Sequence, residues 1–313
     1  MENRSVIAAE PSSFKRGLFF AVIAYIGWGA SPLYWKLLDQ VGFFGLVSHR
    51  MFWSFVLMYT GARFMRGKEL KALFRDKRAL KILGLASILI AATWWVFIYA
   101  VNSGNSLQAA LGYYINPLMS IIAGVVIFKE KLTGLQKVAS ILAAAGVIFF
   151  TVNYGSFPWI SITLALLFAV YGAIKKIGGY PAIPALAVET TIVAPLALVF
   201  VVISFFLPGN GFMADTSSVE GWTTTVLLVG GALVTILPLL WYAEAVNALP
   251  PTWIGFLQYM SPTVTLLIGV FLFGEPFTLA HAVCFALIWT GLLLISIELF
   301  VKSQKAKKKS GSA

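Results

Sequence analysis

The sequence predicts an all-α membrane protein: ten transmembrane helices arranged as two inverted five-helix repeats, with both termini in the cytoplasm. Three observations predict it. Of 313 residues, 59% are hydrophobic and only 11% charged, and mean hydropathy is +0.88. A soluble chain of this length cannot hide so much apolar surface, because its exterior must stay wet. The basic residues fall almost wholly on one side of the apolar runs, and the second half of the chain repeats the first.

Ten runs have the length and apolar character of spans, at 17–38, 41–62, 82–102, 107–128, 135–153, 159–175, 182–206, 223–247, 253–273 and 280–301. About 20 apolar residues cross a bilayer as a helix, and in hydrocarbon each backbone polar group must be satisfied within its own segment. Glu2 and Glu10 dilute the start, and the first run is long enough to span, so no cleavable signal peptide is expected. The stretch KELKALFRDKRALK at 68–81 is amphipathic and is expected to lie on the inner leaflet.

Net charge is +11, which by itself could suggest nucleic acid. Its distribution says otherwise. With a cytoplasmic N-terminus, every basic residue except Lys36 and Arg50 belongs to an inside loop, an inside span end or the tail. This bias sets parity and orientation, and makes the charge an address on anionic lipid, with no nucleic-acid partner expected. One cysteine, Cys284, excludes an intrachain disulfide and a cysteine-based metal site. No nucleotide loop or histidine-rich metal motif is visible, so no cofactor, metal or enzymatic activity is expected.

Displacing the chain by 145 residues lays the fourth run on the ninth, matching Asn102 with Asn247, Tyr114 with Tyr259, Pro117 with Pro262, Gly124 with Gly269 and Glu130 with Glu275. Smaller displacements set Trp28 against Tyr171 and His49 against Glu189. The expected organisation is a first repeat at 1–154, a second at 155–301 and a basic tail at 302–313 without fixed structure. Five spans per repeat is an odd number, so the second copy enters the membrane upside down. Such inverted repeats place a transporter's substrate near the midplane between them.

The segments WGASPLYWKLL, SHRMFWSF, WVFIYAVN, LGYYINPLMSI, FAVYGAIKK, ETTIVAPLAL and FLQYMSPT resemble the RarD branch of the EamA-repeat family, within the drug/metabolite transporter superfamily. The resemblance covers roughly residues 14 to 300. It implies a 5+5 inverted repeat with cytoplasmic termini and alternating access. RarD proteins are linked to chloramphenicol sensitivity, and broader relatives move amino acids, nucleotide precursors and drugs. Thr93, in ATWW, stands where the pattern expects asparagine.

Charges inside the spans are the candidate site. Arg50 lies about nine residues into its run, on the order of 13 Å deep, beyond what snorkelling covers. A charge at that depth costs roughly 3 kcal/mol, so it must face a protein interior or a wet cavity. Glu189, entering from the opposite side, is the expected partner. The pair could lock the two halves, or Arg50 could hold an anionic group while Glu189 takes a cation or a proton. His49 is either a packing residue or a proton relay. Lys36 is expected to snorkel or pair with Asp39. Glu244 either forms an inner gate with Lys175 or Lys176 or is solvated at the interface, and Glu298 reads as a surface pair with Lys302.

Among uncharged groups, Tyr113, Tyr114, Asn116, Gln258 and Tyr259 precede prolines that free backbone carbonyls, as at broken transporter helices. Trp28, between Gly27 and Gly29, could cover a ligand. Trp94 and Trp95 face different ways, so at most one, taken as Trp95, lines a cavity. These residues predict a secondary transporter of small polar or amphipathic organic solutes, and the resemblance implies amino-acid-like metabolites or drugs such as chloramphenicol, and the bacterial inner membrane. Its expected partners are that solute and membrane lipids, with protons a candidate coupling ion that the residues leave open. A non-transporting sensor or scaffold, or an intramembrane lipid-modifying enzyme, remains open on residues alone.

Overall fold

The computed structural model describes residues 11–103, 105–154, 157–207, 209, 211–213, 215, 217–274 and 277–310. Glu275 and the side chains of Asn102 and Lys302 lie outside the described residues. Every regular element is helical among them: α1 (Pro11–Trp35), α2 (Phe43–Met65), α3 (Gly67–Arg75), α4 (Lys77–Asn102), α5 (Ser106–Val126), α6 (Gly134–Tyr154), α7 (Trp159–Gly178), α8 (Ala182–Ser204), α9 (Val219–Ala248), α10 (Pro251–Gln258), α11 (Met260–Phe271) and α12 (Leu279–Ser310), with a 3-10 turn (Lys36–Leu38) after α1.

Nine segments among the described residues are long and apolar enough to cross a membrane, α10 and α11 counting as one. They correspond to nine of the ten expected runs. The tenth run forms α2, which falls outside that set because Ser48, His49, Arg50 and Arg63 dilute its apolar character. The break expected at both matched prolines is present at one. Tyr259 separates α10 from α11, three residues before Pro262, whose ring cannot donate to the Gln258 carbonyl. Pro117 sits inside an uninterrupted α5. The tail, expected without fixed structure, continues α12 to Ser310.

The two halves interleave. Helix α1 packs on α9 as α4 packs on α7, α1 on α11 as α5 on α7, and α2 on α9 as α4 on α8. The pairs α2 with α8, α5 with α10 and α6 with α12 complete the set. Exchanging the first five expected spans for the second five leaves this pattern unchanged, so most of the core belongs to both halves. Its largest cluster joins Tyr25 of α1, Leu83 of α4, Tyr171 of α7, Val188 of α8 and Tyr242 of α9.

Two glycines permit the closest approaches. A Cβ on Gly29 would stand 2.7 Å from the Ser261 carbonyl oxygen, so α1 and α11 touch backbone to backbone. A Cβ on Gly172 would collide with the Tyr242 hydroxyl, which lies directly over α7. Glu130 closes another junction: its Oε2 accepts from the Thr252 backbone N–H at 3.0 Å, a carboxylate at the positive end of α10.

Candidate functional site

Two polar centres lie among the helices. The first joins α7 to α8. Glu189 is 2% exposed; its Oε1 meets the Lys175 ammonium at 2.6 Å, and its Oε2 accepts from the Tyr171 hydroxyl at 3.0 Å. Both carboxylate oxygens are therefore engaged, and the Lys175 ammonium also stands 5.5 Å from the Tyr171 ring centroid. Tyr171 stacks on Tyr242 at 6.2 Å and 12°, and Trp28 meets Tyr242, Tyr25 and Phe168 edgewise or tilted within 6 Å. Trp28 is thus a wall of this aromatic cluster, beside the ion pair.

The expected pair between Arg50 and Glu189 is not formed. Lys175 supplies the counter-charge instead, and helix geometry explains why. Lys175 stands three residues before the end of α7 and Glu189 seven after the start of α8. At 1.5 Å per residue their depths differ by about 6 Å, which one lysine stem bridges. A partner on the same hairpin costs less ordering than one in the other repeat.

The second centre is built around Arg50. Its Nε donates to Thr235 Oγ1 of α9 at 3.1 Å, and its guanidinium lies 4.4 Å from the Trp35 ring centroid. Thr235 gives its own proton to the Gly231 carbonyl at 2.9 Å, which turns an oxygen lone pair toward Arg50. A Cβ on Gly231 would lie 3.0 Å from the Trp35 ring, so the indole is held between α9 and the guanidinium. No carboxylate lies within ion-pair distance of Arg50 among the described residues, and its two terminal amino groups have no hydrogen-bond partner there. Those groups are the edge that takes a carboxylate or phosphate by two parallel bonds.

Tyr113 of α5 is 53% exposed and still within electrostatic range of Arg50. Helices α2 and α5 are not among the closely packed pairs. Arg50 and Tyr113 thus stand near each other without α2 and α5 packing closely. Trp35 and Thr235 were not singled out in the sequence. The signals were there: Trp35 precedes Lys36 in LYWKLL, and Thr235 is a lone hydroxyl in LVTILPLL.

The other expected residues scatter. His49 is buried, stacked on Phe212 at 4.5 Å and 27°, as a packing histidine would be. Tyr114 stacks on Phe150. Gln258 accepts from Ser120 at 3.1 Å, whereas buried Asn116 Oδ1 and the Tyr259 hydroxyl have no partner among the described residues. Trp95 packs edge-on against Phe200 and is partly exposed, while Trp94 packs into the core. Thr93 gives its hydroxyl to the Leu89 carbonyl of its own helix.

The remaining ionic expectations divide. Glu244 pairs with Arg16 at 3.0 Å and not with Lys175 or Lys176. Helix α1 lies against α9 and brings Arg16 to Glu244, whereas Lys176 donates to the carbonyls of Asn247 and Leu249 at the end of α9. Glu298 is buried and accepts from Thr133 at 2.8 Å, because α12 packs this face on α6 and the preceding loop; its expected pairing with Lys302 falls on a side chain outside the described residues. Lys36 and Asp39 pair at 3.0 Å as expected.

The sequence model of the EamA-like transporter family matches residues 15–152 and 158–297. Similar proteins include the uncharacterized transporter YojE of Bacillus subtilis, 42% identical over 94% of this chain and 97% of its own. Protein RarD of Escherichia coli is 31% identical over 94% of this chain and 98% of its own. A solved crystal structure superposes with a TM-score of 0.71 over 91% of this chain and 98% of that one, at 15% identity, a likeness of fold alone.

Proposed function

Because the chain belongs to the EamA-like transporter family, we propose that it is a secondary-active carrier of small organic solutes working by alternating access in the bacterial inner membrane. The observation that carries the reading is Arg50: a guanidinium set deep in a run of apolar residues, its two terminal amino groups without a hydrogen-bond partner among the described residues. An uncompensated buried charge is expensive, and function is the usual reason to keep one.

The substrate bears an anionic group, taken by the Arg50 fork, and an apolar part that rests on Trp35 and Tyr113. Glu189 is already neutralised by Lys175, so the charge left to recognise a solute is positive. This favours a small carboxylate or amino acid over an amine. The Lys175–Glu189 pair opens as the carrier changes face, and Glu189 then takes the coupling proton.

As a tenth crossing, the 23 residues of α2 reach about 35 Å, enough for a hydrocarbon core of about 30 Å. Residues 1–154 and 155–301 then hold five crossings each and run with opposite polarity. The exchange-invariant packing supports this reading. Nearly all basic residues then share one side with both termini, the cytoplasmic one.

Purified protein in liposomes, offered labelled carboxylates, amino acids, amines and chloramphenicol, tests the proposal. Uptake of an anion-bearing solute is expected, lost in Arg50→Ala and partly kept in Arg50→Lys. Equal flux through inserted Arg50→Ala protein, or a preference for amines, overturns it.

A further inference from the structure

A groove of about 820 Å³ opens where α2 turns into α3. Its polar wall carries Arg63, Arg66, Lys68 and Lys71 against one carboxylate, Glu69. Arg66 and Glu69 satisfy each other at 3.0 Å, which leaves three cations with no carboxylate in range among the described residues. Lys68 and Lys71 are neighbours on one helix face, an arrangement that repels unless an anion joins it. The Arg63 guanidinium leans over the turn, its Nη1 3.2 Å from where a Cβ on Gly67 would stand.

The groove is amphipathic as well as cationic. Phe64 and Met65, both among its lining residues, are 88% and 69% exposed. Helix α3 is held down from beneath by buried Leu70 and Leu73, which pack against α8. An amphipathic helix at the end of a long apolar one lies at headgroup depth. Three free cations beside two bare apolar side chains at that depth match a phosphate and the first part of an acyl chain.

We propose that this groove binds one anionic phospholipid, its phosphate between Arg63, Lys68 and Lys71 and its chain against Phe64 and Met65. The site is separate from the Arg50 centre and does not depend on what the protein carries. It depends on the membrane surface lying at α3, on whichever side that is. Since α3 rests on α8, which bears Glu189, the bound lipid steadies the helix that holds the buried ion pair.

Native mass spectrometry of the purified full chain, titrated with phosphatidylglycerol or phosphatidylcholine, tests the proposal. One tightly held phosphatidylglycerol is expected and no comparable phosphatidylcholine. Each cation near an anionic surface changes affinity roughly fivefold. The triple variant Arg63→Gln/Lys68→Gln/Lys71→Gln is therefore expected to bind on the order of a hundredfold more weakly. The charge-matched control Lys77→Gln/Arg78→Gln/Lys81→Gln, outside the groove, is expected to bind as the parent does. If the triple variant elutes misfolded, Arg63→Gln alone, with its smaller loss, serves in its place. Equal weakening in the control, no preference between the two lipids, or displacement of the lipid by millimolar inorganic phosphate overturns the proposal.

Discussion

Replacing Lys175 by methionine leaves the Glu189 carboxylate buried with the Tyr171 hydroxyl as its one remaining partner. The side chains of the pair are 6% and 2% exposed, so solvent screening gives little relief. Removing one member of a buried ion pair costs roughly 3–5 kcal/mol, because the orphaned charge must stay desolvated or take up a proton. For Lys175→Met this is a fall of about 5–8 °C in the melting temperature of the detergent-solubilised protein, followed by fluorescence-detected size exclusion after heating. Glu189→Leu orphans the ammonium and is expected to cost a similar amount. The double variant Lys175→Met/Glu189→Leu removes both charges and should recover to within about 1–2 kcal/mol of the parent. Arg50→Ala, combined with either single change, should simply add. The reasoning fails if each single variant loses under about 1 kcal/mol, if the double variant is no better than the singles, or if Glu189 couples to Arg50 in place of Lys175.

Thr235→Val removes the acceptor that aims the Arg50 Nε, and should raise KM for an anionic solute about tenfold, a loss near 1.5 kcal/mol, with little change in melting temperature; an unchanged KM excludes that positioning role. Gly172→Ala drives a methyl into the Tyr242 hydroxyl and should destabilise by about 1–3 kcal/mol. Adding Tyr242→Phe removes the obstructing oxygen and should restore most of the melting temperature, whereas no rescue means the two helices do not meet there. Arg16→Ala or Glu244→Ala breaks an ion pair whose side chains are 66% and 35% exposed, so its stability effect should stay below about 1 kcal/mol; a larger loss in the same melting assay makes that contact more than a surface pair.

Much of the fold was legible because membrane solvent constrains sequence so strongly. A backbone in hydrocarbon has one way to satisfy itself within a segment, so apolar run length gives helix position to within a few residues. The close contact at Gly29 and the break before Pro262 were also readable, since a glycine and a proline each carry a local steric meaning. Pro117 shows the limit of that reading. The same residue type, in the matched position, stays inside an uninterrupted helix, so a proline's local sterics do not alone decide where the helix breaks.

The site was half legible. Arg50 announced itself by the cost of its depth, and Glu189 by the same cost, but cost alone does not name a partner. Sequence symmetry suggested pairing them with each other across the repeats, when a shorter hairpin contact was available to Glu189 from Lys175. Trp35 and Thr235 escaped notice because neither is unusual alone. Each matters through what stands beside it: an indole under a guanidinium, and a hydroxyl whose proton is committed elsewhere.

Sequence by itself determined that the chain lives in lipid, that it is helical, that it is a doubled unit and that a few charges are held inside at a cost, since each follows from transfer free energies or local sterics. Only the tertiary structure decided which charges meet, which arginine edge stays free, and that the turn from α2 to α3 leaves a cationic groove. Those outcomes depend on distances of a few ångströms between segments far apart in the chain, and on which partner desolvates and orders at least cost.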